Sequence, residues 1–451
     1  MEEIRNAFKS YVFVLGFLPI VIAGYYLCNK LFDIKIGKLF LLVMSVVFSS
    51  YLTLYNTISI VLSSLLNYAL YLLMKKSAGF AHRKKVYVVV GIIANLLNLL
   101  FLKYYNFFIG NLNGIFDSSL PILKIILPLG ISFYTFQQIM FIVETYKNSE
   151  KSYAMLDYFL YVFYFPKLIQ GPLTRHDELI DQFNDRDRKK LDFNNFSNKL
   201  VSFTIGLAKK VLIADSFGRI VNWGYLNVTQ IGTLDTLFVV LFYTLQIYFD
   251  FSGYCDMANG VSLMLNIKLP INFNSPYKAV SVSDFWKRWH ITLTTFFTRY
   301  VYIPLGGSRK GLNRTLINTF FIFVLSGLWH GSNWTFILWG ALHGLVMIME
   351  KFMGTKKFKI NKYLSWLMTF SFLNLTWVFF RSENLAKSMQ IFRNILSMNS
   401  QPLSNSVRDT FFFPEFELMY SMLSGNPVIN RYFLVILFAL GLFVVLYIVF
   451  R

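Results

Sequence analysis

Long apolar runs, broken by short charged or Pro-containing stretches, set the pattern of this chain. Runs such as 11–28 and 432–450 contain no charged residue. Their length approaches the ~20 residues a helix needs to cross a hydrocarbon core. The pattern predicts spans near 11–28, 39–55, 56–74, 86–105, 121–143, 153–170, 198–221, 234–252, 315–328, 332–350, 363–380 and 432–450. The period-two alternation of a transmembrane barrel is absent. The expectation is an all-α polytopic membrane protein forming one integral-membrane domain over residues 1–451, with no soluble domain. The first run has no clear small-residue cleavage site and reads as a retained helix. No internal repeat is visible, which argues against an inverted-repeat transporter.

Three stretches interrupt this pattern. ILPLGISFYTFQ (126–137) places Pro128 and Gly130 inside an apolar run. YFPKLIQGPLTRHDE (164–178) sets Pro166 and Pro172 around Lys167 and Gln170. LPINFNSPYKAVSVSDFWKRWH (269–290) is polar and leads into an amphipathic aromatic segment. Broken helices persist at membrane depth where protein or a water-filled cavity satisfies the freed backbone groups. These stretches are therefore expected to line such a cavity or lie at the membrane surface. Residues 382–430 read as a mixed, more polar excursion whose side is open.

Composition reinforces the membrane reading. The chain is 55% hydrophobic and 15% charged, against roughly 25% charged in soluble domains. Its net charge of +20 would suggest nucleic acid in a soluble protein. Here the basic residues sit in short loops at 75–85, 186–190, 306–314 and 351–362, which the positive-inside rule places on the cytoplasmic face. Nucleic-acid binding is excluded on that ground. Cys28 and Cys255 form no metal-ligand spacing, and no HExxH-like motif occurs, so no catalytic metal is expected.

Chemistry concentrates at two histidines. His330 lies inside SGLWHGSNWTFILWGALHG (326–344) and His290 inside DFWKRWHITLTTFF (284–297). Imidazole is costly at membrane depth and titrates near neutrality. His330 reads either as a structural histidine bonded to a neighbouring helix or as a base that takes a proton from an acceptor attacking an acyl group. Trp329 and Trp334 are expected to help exclude water from it. The stretch 315–328 has 14 residues, about 21 Å of helix, and both flanks are basic. Chain direction is therefore expected to reverse near His330, within or close to membrane depth, with Gly327 and Gly331 permitting the turn.

His290 reads either as an interfacial histidine beside Trp286 and Trp289 or as a second polar group orienting an acyl carbonyl. His343, between Gly340 and Gly344, fits tight helix packing. His82 and His176 carry no assigned role. GGSRKG (306–311) is not a Walker loop; it is an ordinary cytoplasmic loop or a phosphate contact through Arg309 or Lys310. Asp250 and Asp256 beside an apolar span should pair or line a polar path, with Lys167, Arg288 or Arg299 as candidate partners.

Taken together, LPLGISFYTFQ (127–137), FPKLIQGPLTR (165–175), FDFSGYCDMANG (249–260), FWKRWHITLTTFFTRYVYIPLGGSRKG (285–311) and SGLWHGSNWTFILWGALHG (326–344) resemble the membrane-bound O-acyltransferase family. The likeness runs over residues 120–381, ending at TWVFFR (376–381), and is nearest the bacterial polysaccharide O-acetylation branch. It implies about eleven membrane helices with re-entrant elements around a central funnel or tunnel. It implies His330 as the essential histidine and His290 as the second signature position. Trp329, Trp286, Asp250, Asp256, Lys167 and Gln170 become candidate tunnel-lining residues. The resemblance also implies no bound cofactor, and an acyl thioester co-substrate such as acetyl-CoA or an acyl-carrier protein. It implies a bacterial cytoplasmic-membrane location, a serine-hydrolase-like (SGNH) extracytoplasmic transferase as partner, and a cell-envelope or exported polysaccharide as acceptor. D-alanyl transfer from a carrier protein toward teichoic acid is the nearest rival. A transporter or flippase is the rival of another class.

Overall fold

The computed structural model describes residues 7–77, 79–148, 150–190, 193–354, 361–399 and 401–409. Among them every regular element is a helix and no strand occurs. Among the described residues, eight helices are long and apolar enough to cross a membrane: Val12–Leu31, Ile34–Leu52, Leu54–Lys76, Ala81–Phe116, Thr233–Met264, Leu312–His330, Trp334–Met353 and Lys362–Arg381. The expected span at 432–450 and residues 400 and 410–430 of the 382–430 excursion lie outside the described residues; the rest of the excursion carries helices Leu385–Leu396 and Asn405–Asp409.

Three expected spans take a different form. In place of 121–143, residues 118–128 form no regular element and the helix runs Ile131–Lys147. Pro121 and Pro128 lack the N–H a helix needs. Gly130 begins the helix at φ +69°, with the Leu168 carbonyl 2.8 Å from where a Cβ would sit. The expected span 153–170 stops at Phe163, and Pro166 opens the 3-10 turn Phe165–Lys167. The span expected at 198–221 is helix Phe193–Ala208, a π turn Lys209–Ala214 and helix Asp215–Leu226.

The spans are built inside-out relative to a soluble helix. On Ile34–Leu52, Leu39, Val43 and Val47 are about half exposed while Ser45 and Ser49 are buried. Lipid satisfies apolar surface, so the bundle interior can hold hydrogen-bonding groups as glue. Asn67 and Asn95 exchange side-chain hydrogen bonds at 3.1 and 2.7 Å, and Asn67 Nδ2 also donates to Gln138 Oε1 at 2.8 Å. These contacts tie Leu54–Lys76, Ala81–Leu99 and Ile131–Lys147 together.

The core divides into two large apolar clusters. One gathers N-terminal helices, residues 153–183 and the end of Thr233–Met264. The other gathers residues from 214 onward, including Trp286, Trp289, Trp339 and Trp377. A small third cluster of Phe136, Met140, Leu173, Leu293, Phe296, Phe297 and Trp329 stands apart from both. Leu328 packs against the first cluster, Trp329 belongs to the third and Phe380 packs against the second. The end of helix Leu312–His330 is therefore the place where all three meet.

Candidate active site

His330 is the last residue of helix Leu312–His330, and the chain turns back through residues 331–333 into helix Trp334–Gly354. A glycine crossing holds this hairpin. A Cβ on Gly327 would lie 2.3 Å from the Phe336 carbonyl, and one on Gly340 would lie 2.3 Å from that of Phe323. The two backbones meet where no other residue fits. The first arm is longer than the sequence suggested: 19 residues, about 28 Å, because Leu312, Asn313 and Arg314 at one end and Trp329 and His330 at the other belong to the helix. The reversal thus follows a full-length span rather than a half-depth one. Arg309 and Lys310 are exposed beyond its opposite end, so the structure does not bring them to the histidines.

Three rings surround the His330 imidazole: Trp329 at 4.7 Å, Phe380 at 4.9 Å and Trp339 at 5.2 Å between centroids. The residue is only half-buried. These side chains wall the imidazole with aromatic surface. Trp334 does not serve as expected. It is 52% exposed, packs on Phe107 and donates Nε1–H to Asn111 Oδ1 at 2.8 Å. At helix position 1 it points away from the ring; Trp339 and Phe380 supply the wall instead.

His290 joins helices Val282–Arg288 and Ile291–Phe297 at φ +45°. A left-handed conformation is unfavourable for a residue with a Cβ and recurs at functional sites. The surroundings enforce it. Ile291 N–H donates to the Asn272 carbonyl at 3.0 Å, and Asn274 N–H to that of Arg288 at 2.9 Å. The polar stretch before the helix thereby folds back along the histidine. Asn272 Oδ1 accepts from the Thr292 N–H at 3.2 Å and its hydroxyl at 2.9 Å, which fixes the amide orientation. His290 Nδ1, 3.2 Å from the same oxygen, must then carry the proton and donate. Nε2 is left with its lone pair as an acceptor. Trp329 stands beside both imidazoles, 4.7 Å from His330 and 6.1 Å from His290.

The remaining candidates scatter. Trp286 donates Nε1–H to His343 Nδ1 at 3.2 Å, and His343 Nε2 donates to Thr376 Oγ1 at 3.1 Å. That pair knits helices together within the second cluster. Lys167 is fully buried, with its ammonium 3.9 Å above the Tyr161 ring; Gln170 is half-buried. The expected partners of the two aspartates are corrected. Asp250 pairs with Lys210 at 2.6 Å and Asp256 with Lys209 at 2.7 Å, while Arg288 holds Asp284 and Arg299 holds Glu144.

A second glycine crossing explains those pairs. A Cβ on Gly206 would sit 2.6 Å from the Gly253 carbonyl, and one on Gly260 would sit 2.7 Å from the Phe203 nitrogen. This contact draws the lysine turn against helix Thr233–Met264. A different face of that helix meets the site: Phe251 lies 4.8 Å from the His290 ring, and Cys255 Sγ accepts from Asn272 Nδ2 at 3.5 Å.

Sequence reasoning missed Asn272, Trp339, Phe380 and Lys103. Asn272, Trp339 and Phe380 lie inside stretches the sequence singled out, without a mark of their own, whereas Lys103 had one, a lysine between long apolar segments of Ala81–Phe116.

The described residues form a bundle of apolar helices with an aromatic-walled imidazole at the end of one of them. Comparison with known proteins defines the class. The model of the MBOAT, membrane-bound O-acyltransferase, family matches residues 18–355. The chain belongs to this family of membrane O-acyltransferases. It is 37% identical to a peptidoglycan O-acetyltransferase of Helicobacter pylori, over 95% of this chain and 88% of that one. It is 35% identical to a protein named as a probable alginate O-acetylase, AlgI, of Pseudomonas aeruginosa, over 88% of this chain and 76% of that one. A teichoic acid D-alanyltransferase of Streptococcus thermophilus is 29% identical over 52% of this chain and 59% of its own.

Proposed function

We propose that this protein transfers an acetyl group from a cytoplasmic thioester, such as acetyl-CoA, across a bacterial inner membrane for O-acetylation of a cell-envelope or exported polysaccharide. The observation that carries the reading is the aromatic-walled ring of His330 at the end of a full-length span, with His290 sharing its Trp329 wall. The near full-length likeness to a peptidoglycan O-acetyltransferase supports acetyl and polysaccharide over other acyl groups and acceptors.

In the proposed step, neutral His330 takes the proton of an acceptor hydroxyl as its oxygen attacks the thioester carbonyl. A C–O bond forms and the C–S bond breaks. The proton passes from imidazolium to the departing thiolate. His290, with Nδ1–H held by Asn272, supports and orients at the same wall. The acceptor is the polysaccharide or a relay hydroxyl of an extracytoplasmic serine-hydrolase-like partner.

The test is purified full chain in lipid vesicles with envelope polysaccharide as acceptor, given labelled acetyl-CoA and a D-alanyl carrier thioester in parallel. Thiol release from acetyl-CoA that is lost in His330→Ala supports the proposal. Release from the carrier thioester alone moves the reading to D-alanyl transfer. An active, correctly inserted His330→Ala protein defeats the mechanism.

A further inference from the structure

Lys103 is a cation inside the longest apolar helical stretch among the described residues, Ala81–Phe116. A lysine there is expensive and calls for a partner at the same depth. Its partners lie at the candidate active site. The helix is interrupted by a π turn over Leu100–Tyr104, a feature that re-aims side chains and recurs at functional sites. The turn directs two consecutive residues at the end of helix Leu312–His330. Lys103 Nζ donates to the Trp329 carbonyl, and the Tyr104 hydroxyl donates to the Leu328 carbonyl at 2.6 Å. Lys103 also reaches Ser132 Oγ at 3.2 Å and stands 5.8 Å from the Trp329 ring centroid.

Those two carbonyls belong to the last turn of the helix, where no following turn supplies N–H donors. A helix that stops at His330 leaves them bare and carries partial negative charge at that end. In water, solvent would satisfy them; inside a bundle, the protein must. Lys103 meets both needs, because an ammonium donates hydrogen bonds and neutralises the helix end. The carbonyl it grips belongs to the residue immediately before His330.

We infer that Lys103 is a positioning residue for acyl transfer, an ammonium that pins the Trp329 carbonyl and thereby sets the direction of the His330 ring. The inference rests on the proposed role of His330 as proton acceptor. Loss of the grip lets the terminal turn fray and the imidazole swing; a displacement near 1 Å at a reacting group lowers rate by about a hundredfold.

The experiment uses the full chain as the sole copy in a bacterial membrane. Ester-linked acetate and D-alanine are released from envelope polysaccharide by mild base and normalised to membrane protein. Lys103→Met is expected to lower ester roughly ten- to a hundredfold, and Lys103→Arg, which keeps the charge, recovers most of it. Thioester turnover in vesicles then shows a reduced kcat with little change in KM. If Lys103→Met fails to accumulate, Lys103→Gln is measured, since it keeps an N–H donor without the charge; its kcat is expected to fall at unchanged KM. Wild-type ester in Lys103→Met, or wild-type kcat in Lys103→Gln, overturns the inference when His330→Ala is inactive. An active His330→Ala variant instead overturns the underlying reading of the site.

Discussion

His290 and Asn272 form one unit: the imidazole Nδ1–H donates across 3.2 Å to an amide oxygen whose orientation Thr292 fixes. The consequence is a defined tautomer with Nε2 unprotonated. Asn272→Ala removes the acceptor and frees the ring to flip. Acyl transfer is expected to fall by about ten- to a hundredfold through misorientation of the ring, with protein level and thioester KM little changed. Turnover in lipid vesicles checks this, and an unaltered kcat would show that the tautomer is irrelevant.

Glycine at the hairpin crossing is required by space. Gly340→Leu places a side chain where a Cβ alone meets the Phe323 carbonyl at 2.3 Å. Overpacking of this kind costs about 1–3 kcal/mol, and here it also splays the arm that carries His330. Both the melting temperature in detergent and activity should drop, whereas Gly16→Ala, with nothing within 4 Å of its Cβ, should leave melting close to the parent.

Lys210 bridges Asp250 at 2.6 Å and Asp215 at 3.0 Å, with Lys9 on Asp215 at 2.5 Å. A partly buried network of this kind is expected to couple its members. Lys210→Met should destabilise more than the double variant Lys210→Met/Asp250→Asn, because the single change strands a carboxylate. A double-mutant cycle in thermal unfolding should report a coupling of about 1–2 kcal/mol. Zero coupling would mean that the two ions act independently.

Acid sensitivity has an identifiable contributor outside the spans. His176 opens helix His176–Asn184, packed among Phe141, Tyr153 and Tyr161. Burial pushes its pKa from 6.5 down to about 4. The folded state therefore refuses a proton that the unfolded chain accepts below the ordinary value. More protons on the unfolded state means that stability rises with pH. The contribution is intact above pH 6.5 and is lost as pH falls toward 4. His176→Phe should flatten the melting temperature against pH across this window; an unchanged slope would assign the effect elsewhere.

How much of this was legible beforehand differs from residue to residue. Apolar runs locate most spans because lipid imposes a length and forbids bare backbone, constraints that act on each segment alone. Prolines marked the breaks at Pro128 and Pro166, since a missing N–H is a local fact. His330 and His290 stood out by the expense of an imidazole among apolar neighbours. Asn272 did not, because an asparagine in a polar stretch reads as a turn until its oxygen is seen beside a ring 18 residues away. The aspartates were recognised as needing partners, but the wrong cations were expected. Lys209 and Lys210 reach them only through the Gly206–Gly253 crossing, which joins distant segments.

The sequence by itself determined the membrane class, the family and the pair of histidines, because hydrophobic length and rare buried polar groups are properties of short stretches. Tertiary structure alone decided which rings enclose His330, which tautomer His290 holds and which lysine grips the helix end. Those depend on where separate helices cross, and crossing is set by the summed fit of many side chains rather than by any one segment.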